Sequence, residues 1–100
     1  MKVTFMTKQL EGWFTGEYKG KQPFSRMILK AYQKAINKLI AAPSTVDLRM
    51  NKSLDFHTLT RELSGKYAIR VNMQYRVVFS INKETDQVDI IDVEQLTDYH

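Results

Sequence analysis

Between Tyr67 and Ile81 the chain alternates apolar and polar residues with a period of two, broken once in the middle. Tyr67, Ile69 and Val71 alternate with Ala68, Arg70 and Asn72, and Tyr75, Val77, Phe79 and Ile81 alternate with Arg76, Val78 and Ser80. That period belongs to half-buried strands, whose side chains point to opposite faces in turn. The two runs are close enough in sequence to form a hairpin, and the apolar set fixes its register. If Tyr67, Ile69 and Val71 share the core face with Tyr75, Val77 and Phe79, Val71 pairs with Tyr75 and residues 72–74 form a three-residue loop. A two-residue loop would instead place Arg76 among the core residues, which is costly for a charge. The favoured register sets Arg70 opposite Arg76 on the other face. Two cations directly opposite one another destabilise a sheet unless an anion lies between them. The pair therefore either marks a phosphate-sized site, or each arginine meets a carboxylate such as Glu62 or Asp89.

The second constraint is a helix bounded by two prolines. Ile28, Ala31, Tyr32, Ala35, Ile36 and Leu39 recur at helical spacing between Pro23 and Pro43, which predicts a helix over about 23–42 with one buried stripe. Pro23 or Ser25 can open it, and Pro43 closes it by removing a donor and restricting Ala42. Arg26, Lys30, Lys34 and Lys38 stand four apart along the same segment. Like charges at that spacing cost about 0.2–0.5 kcal/mol per pair. The stripe is either a grip for RNA phosphates or a solvated lysine face.

Around these elements, Val3 and Phe5 alternate with Lys2 and Thr4 and predict an N-terminal strand over 1–7. A polar segment with Trp13 and Phe14 allows a turn or two of helix, and Gly16 to Gly20 is expected to be a loop. Residues 44–55 are expected to be a loop as well. Val88, Ile90, Ile91 and Val93 predict a last strand buried on both faces. The expected fold class is α+β, an N-terminal strand and helices packed on a small, about four-stranded, antiparallel sheet.

With 100 residues and 43% hydrophobic composition, a single domain over 1–100 is expected. The chain has no cysteine, which excludes disulfides and thiolate chemistry, and only His57 and His100 could supply imidazole to a metal, so neither a metal nor another cofactor is expected. No segment is apolar for the length of a membrane span, and the first residues lack the basic-then-apolar pattern of a secretion signal. A cytoplasmic protein without membrane contact is expected. The net charge of +4 is unevenly placed: residues 1–50 hold nine Lys and Arg against three Asp and Glu, and residues 51–100 hold six against eight. A basic half suits an anionic partner, nucleic acid or an acidic protein segment, and equally serves solubility.

From His57 onward the residues resemble a known family. The segment FHTLTRELSGKYAIRVNMQYRVVF and the terminal DYH carry a His57-x-Leu59 opening, Gly65-x-Tyr67-x-Ile69-x-Val71, the aromatic–arginine pair Tyr75–Arg76 and Asp98-Tyr99-His100. The combination resembles the HigB-like toxins of the RelE/ParE toxin–antitoxin superfamily. It is tight over residues 57–100, while the first half matches in element order alone.

The resemblance implies a RelE-like fold and an endoribonuclease that cuts translated mRNA in the ribosomal A site, where it would also meet rRNA. It further implies neutralisation by a cognate helix-turn-helix antitoxin, with DNA contacted only indirectly through that complex. RNA supplies its own nucleophile, the 2′-hydroxyl, so such cleavage needs a proton acceptor, a proton donor and a cation for the phosphorane rather than a metal. Carried over by position, Arg76 would hold the scissile phosphate, His57 and His100 would transfer protons, Asp98 would orient a histidine, and Tyr99 would stack on a base or donate to the phosphate. Arg61 and Arg70, with Arg26, Lys30, Lys34 and Lys38, would bind RNA. Two departures stand out: Thr60 occupies a place where many relatives carry Lys, and Glu94 to Thr97 lengthen the segment before DYH. The same fold also hosts ParE-like topoisomerase inhibitors and would suit an inactive relative that binds RNA or antitoxin.

Overall fold

The computed structural model describes residues 1–85 and 88–98. Its elements run β1 (Lys2–Phe5), α1 (Lys8–Thr15), α2 (Arg26–Ala41), α3 (Thr45–Met50), β2 (His57–Thr58), β3 (Tyr67–Arg70), β4 (Tyr75–Thr85) and β5 (Val88–Asp98), with single 3-10 turns over Lys52–Leu54 and Arg61–Leu63. The class is α+β, as the residue patterns imply. The sheet is larger than they suggested: five strands in the order β1-β5-β4-β3-β2, not four. Nor is it wholly antiparallel, because β1 lies parallel to β5, with Val3 opposite Ile91 and Phe5 opposite Val93. Alternation along a strand tells which face is buried and says nothing about the direction of its neighbour.

The hairpin register is the one the cost of burying Arg76 dictates. Tyr67 pairs with Phe79, Ile69 with Val77 and Arg70 with Arg76. The Val71 N–H donates to the Tyr75 carbonyl at 2.9 Å, closing the loop over residues 72–74. Inside it Asn72 Oδ1 accepts from the backbone N–H groups of Gln74 and Tyr75, at 2.8 and 2.7 Å.

Helix α2 begins at Arg26 rather than Pro23, because the Ser25 hydroxyl caps it by accepting the Ile28 N–H at 3.2 Å. Its inward face is Leu29, Tyr32, Ala35, Ile36 and Leu39. Each large side chain buried this way stabilises the fold by about 1.5–3 kcal/mol. Helix α1 is opened by Thr7, whose hydroxyl accepts the Leu10 N–H, and closed by Gly16 at φ 83°, where a side chain would be strained. The two helices are tied together by polar bonds: the Tyr32 hydroxyl donates to the Leu10 carbonyl at 2.8 Å, and Gln33 Nε2 to the Trp13 carbonyl at 2.9 Å. Burial pushes the Tyr32 phenol well above its ordinary range.

Both helices cover one face of the sheet, and a single apolar cluster joins them to Ile69, Val77, Phe79, Ile91, Val93 and Leu96. The expected loop at 44–55 instead contains α3 and a 3-10 turn, which plug the end of this core with Leu48 and Leu54. Among the described residues no helix is long and apolar enough to cross a membrane.

Candidate functional site

The second face of the sheet carries none of that apolar cluster. Strand parity gives it His57, Ala68 and Val78 in one cross-strand row, ending at Gln95, and Arg70, Arg76 and Thr97 in the next. Ala68 and Val78 are completely buried, although the main core lies on the other side. They form a small apolar floor with two guanidinium-bearing residues along one side. Arg76 is half-buried and Arg70 is exposed.

Asp55 organises one end of this face. It sits in the left-handed region at φ 47°, where the 3-10 turn over Lys52–Leu54 ends. There its carboxylate meets the Arg70 guanidinium at 3.3 Å, and its carbonyl meets His57 Nδ1 at 2.8 Å. The carboxylate partner of Arg70 is thus Asp55, neither Glu62 nor Asp89. A carbonyl only accepts, so Nδ1 carries the proton in that contact and Nε2 is the basic nitrogen of the neutral ring. His57 is half-buried at the edge strand β2.

The other end holds a pair that the sequence did not single out. Lys66 Nζ meets Glu94 Oε2 at 2.7 Å, and the Glu94 side chain is only 10% exposed. Glu94 falls at a β-bulge: Val78 pairs with Gln95 and Phe79 with Val93, which leaves Glu94 as the extra residue of β5. Residues 94–97, taken from sequence as a lengthened connection, therefore continue β5 as far as Asp98.

The remaining candidate residues are dispersed. Asp98 pairs with Tyr75, on the core-side parity of β5, and accepts from Gln74 Nε2 at 3.2 Å. It is across the strand from Arg76 and apart from His57. Arg61 is exposed, at φ 60°, in the 3-10 turn that follows Thr60, and Thr60 to Leu63 line a shallow cleft. Arg26, Lys30 and Lys34 are exposed on the side of α2 turned away from the sheet, and Lys38 donates to the Ser53 hydroxyl at 3.4 Å. The stripe and the arginine pair thus occupy opposite sides of the molecule. Tyr99 and His100 lie outside the described residues.

A layer of helices on one face of a mostly antiparallel sheet is a fold shared with several solved toxins. Over its full length the chain is similar to a YoeB/ParE toxin from Agrobacterium tumefaciens, at 16% identity and a TM-score of 0.56, covering all of that chain. It is also similar to the toxin–antitoxin complex YoeB–YefM from Staphylococcus aureus, at 21% identity and a TM-score of 0.54, with 100% of this chain and 97% of that one covered. A YafQ mutant from E. coli matches at 10% identity and a TM-score of 0.55, over 97% of this chain and 91% of that one. No curated protein sequence matches. The family model for HigB-like toxins, described as RelE-like toxins of the type II toxin–antitoxin system HigB, matches residues 3–100. The chain belongs to that family and is a RelE-like type II toxin.

Proposed function

We propose that this toxin is a ribosome-dependent endoribonuclease that cuts translated mRNA by acid–base chemistry without a metal. The observation that carries the reading is the Arg70–Arg76 pair on the solvent face of the sheet, beside a histidine whose Nδ1 is tied to a carbonyl. Two guanidinium groups on adjacent strands suit a phosphate that gains charge as the 2′-oxygen attacks it. Arg76 holds the scissile phosphate and Arg70, shared with Asp55, neutralises its flank. His57 and His100 serve in proton transfer, Tyr99 stacks on a base, and Asp98 acts from the far side of β5, where it accepts from Gln74, rather than by touching His57. Arg61 supplies a cation close to Thr60, where many relatives carry Lys.

The stripe on α2 faces away from this site, which suits a second anionic surface. Successive residues of Arg26, Lys30, Lys34 and Lys38 rise about 6 Å along the helix, close to the phosphate spacing of an RNA strand. In the A site this face grips rRNA while the sheet face receives mRNA. A cognate helix-turn-helix antitoxin in the same cytoplasm neutralises the toxin, as the complexed state of the Staphylococcus aureus relative supports, and DNA is reached only through that partner.

The test is inducible expression in bacteria with mapping of new 5′ ends on translated mRNAs. The expected result is growth arrest with cuts that vanish in Arg76→Ala. Arrest with intact mRNA and a DNA-damage response would replace this reading with a topoisomerase inhibitor. Folded protein that neither arrests growth nor cuts would make it an inactive relative.

A further inference from the structure

The Lys66–Glu94 pair belongs to neither the apolar core nor the arginine pair, and its placement has a chemical use. In-line cleavage of RNA sets the attacking 2′-oxygen and the departing 5′-oxygen on opposite sides of phosphorus, so the proton acceptor and donor must flank the phosphate from opposite directions. The strand order places β2 and β5 on the two flanks of the β3–β4 pair that carries Arg70 and Arg76. His57 stands at one end of the Ala68–Val78 row and the bulge of Glu94 and Gln95 at the other. Three strand spacings separate them, about 14 Å between backbones, a span that two side chains and a pentavalent phosphorus fill.

Two other carboxylates near this face lie away from the flank opposite His57: Asp55 meets Arg70 at 3.3 Å beside His57 itself, and Asp92 accepts from Thr4 Oγ1 on β1 at 2.9 Å. Glu94 is set back from solvent, and the Lys66 ammonium at 2.7 Å fixes the position of its carboxylate. The bulge itself is a device for re-aiming a side chain at a site. The charged groups around Glu94 on this face are Lys66 at the entry to β3, Arg76 on β4 and Asp92 on β5.

We propose that Glu94 takes the 2′-hydroxyl proton during cleavage and that His57 returns a proton to the leaving 5′-oxygen. This assignment rests on the endoribonuclease reading but gives Glu94 the proton-transfer role assigned there to His100. As the O–H proton passes to the Glu94 carboxylate, the 2′-oxygen forms its bond to phosphorus and the P–O5′ bond breaks. His57, protonated at Nε2 while Nδ1–H stays on the Asp55 carbonyl, gives that proton to O5′. The products are a 2′,3′-cyclic phosphate, a 5′-hydroxyl, a protonated Glu94 and a neutral His57. Lys66 is a positioning residue that holds the acceptor carboxylate at 2.7 Å.

The experiment is single-turnover cleavage of a short mRNA on programmed ribosomes across pH. Binding is measured separately with the same mRNA carrying 2′-deoxyribose at the cut site. Glu94→Gln is expected to slow cleavage about 10²–10⁴-fold, to lose the acidic limb of the pH–rate profile, and to bind the deoxy-substituted mRNA as wild type does. Glu94→Asp should recover part of the rate. Lys66→Met should slow cleavage while leaving binding of the deoxy-substituted mRNA unchanged, since it removes the contact that holds the Glu94 carboxylate in place. A merely structural ion pair would lower the melting temperature and leave the profile in place. Glu94→Gln cutting within tenfold of wild type with the acidic limb unchanged would overturn the proposal, as would loss of that limb in His100→Ala but not in Glu94→Gln. If wild type itself does not cut, or Arg76→Ala cuts as wild type does, the endoribonuclease reading fails instead.

Discussion

The two faces of β3 and β4 are built from alternating residues of the same short segment, yet they differ in almost every property. One face presents Ile69, Val77 and Phe79 to the helices, all completely buried. The other presents Arg70 and Arg76 beside a floor of Ala68 and Val78. The difference shows how a chain this small separates stability from chemistry: odd-numbered positions face the helices, and the charge is carried by the even-numbered Arg70 and Arg76. The cost of opposing two arginines stays on the even face, where an anion can relieve it.

If that division is real, substitutions on the two faces fail in different assays. The largest stability effect should come from Phe79→Ala, which empties a fully buried site in contact with Phe56 and Tyr67. A loss of about 3–5 kcal/mol is expected in denaturant unfolding, with activity lost only because folded protein is lost. On the even face, Arg76→Ala should slow cleavage by about 10²–10³-fold while leaving the unfolding midpoint near that of wild type. Equal damage to stability and rate from either change would erase the distinction.

Smaller effects sharpen the comparison within the core-side layer. Tyr32→Phe removes the hydroxyl bonded to the Leu10 carbonyl and should cost about 0.5–1.5 kcal/mol near neutral pH. It should also change the alkaline response. The folded pKa of this phenol is raised, so above its unfolded value of 10.0 the unfolded chain releases a proton that the folded chain keeps. Stability therefore falls as pH rises through that window, and Tyr32→Phe should flatten the fall; an unchanged slope would mean that other groups carry it. The smallest change belongs to Arg70→Ala. Its pair with Asp55 is about half exposed on both sides, at 47% and 42%, so melting should register less than about 1 kcal/mol.

How much of this was legible in the sequence follows from the same alternation. The hairpin register, its three-residue loop and the opposition of Arg70 and Arg76 were readable, because only one register keeps a charge out of the core. In the buried stripe of α2, Tyr32, Ala35, Ile36 and Leu39 were readable from their period, but Leu29 is buried while Ile28 and Ala31 are only half-buried, and of the two openings offered, Pro23 and Ser25, it is Ser25 that caps the helix. The parallel joining of β1 left no signal, since direction has no signature in a four-residue strand. Helix α3 was missed because a six-residue helix burying only Leu48 shows no helical period.

The bulge at Glu94 had the widest consequence. Counting by twos from Val93 would send Leu96 and Asp98 to opposite faces from the ones they occupy. The extra residue reverses the parity, so Leu96 enters the core, Thr97 joins the arginine face and Asp98 leaves it. Lys66 shared the parity of Arg70 all along and could have been placed on this face by the count that placed Arg76. Its partner depended on the bulge. Asp55 acquired its role through a left-handed backbone conformation that spacing does not encode.

The most direct test of the division between faces is a paired measurement on purified Arg76→Ala: thermal unfolding and single-turnover cleavage on programmed ribosomes, taken from one preparation. The account predicts a melting temperature close to that of wild type and cleavage slowed by about 10²–10³-fold. Cleavage at the wild-type rate by an equally stable protein would contradict it and remove the arginine face from the chemistry.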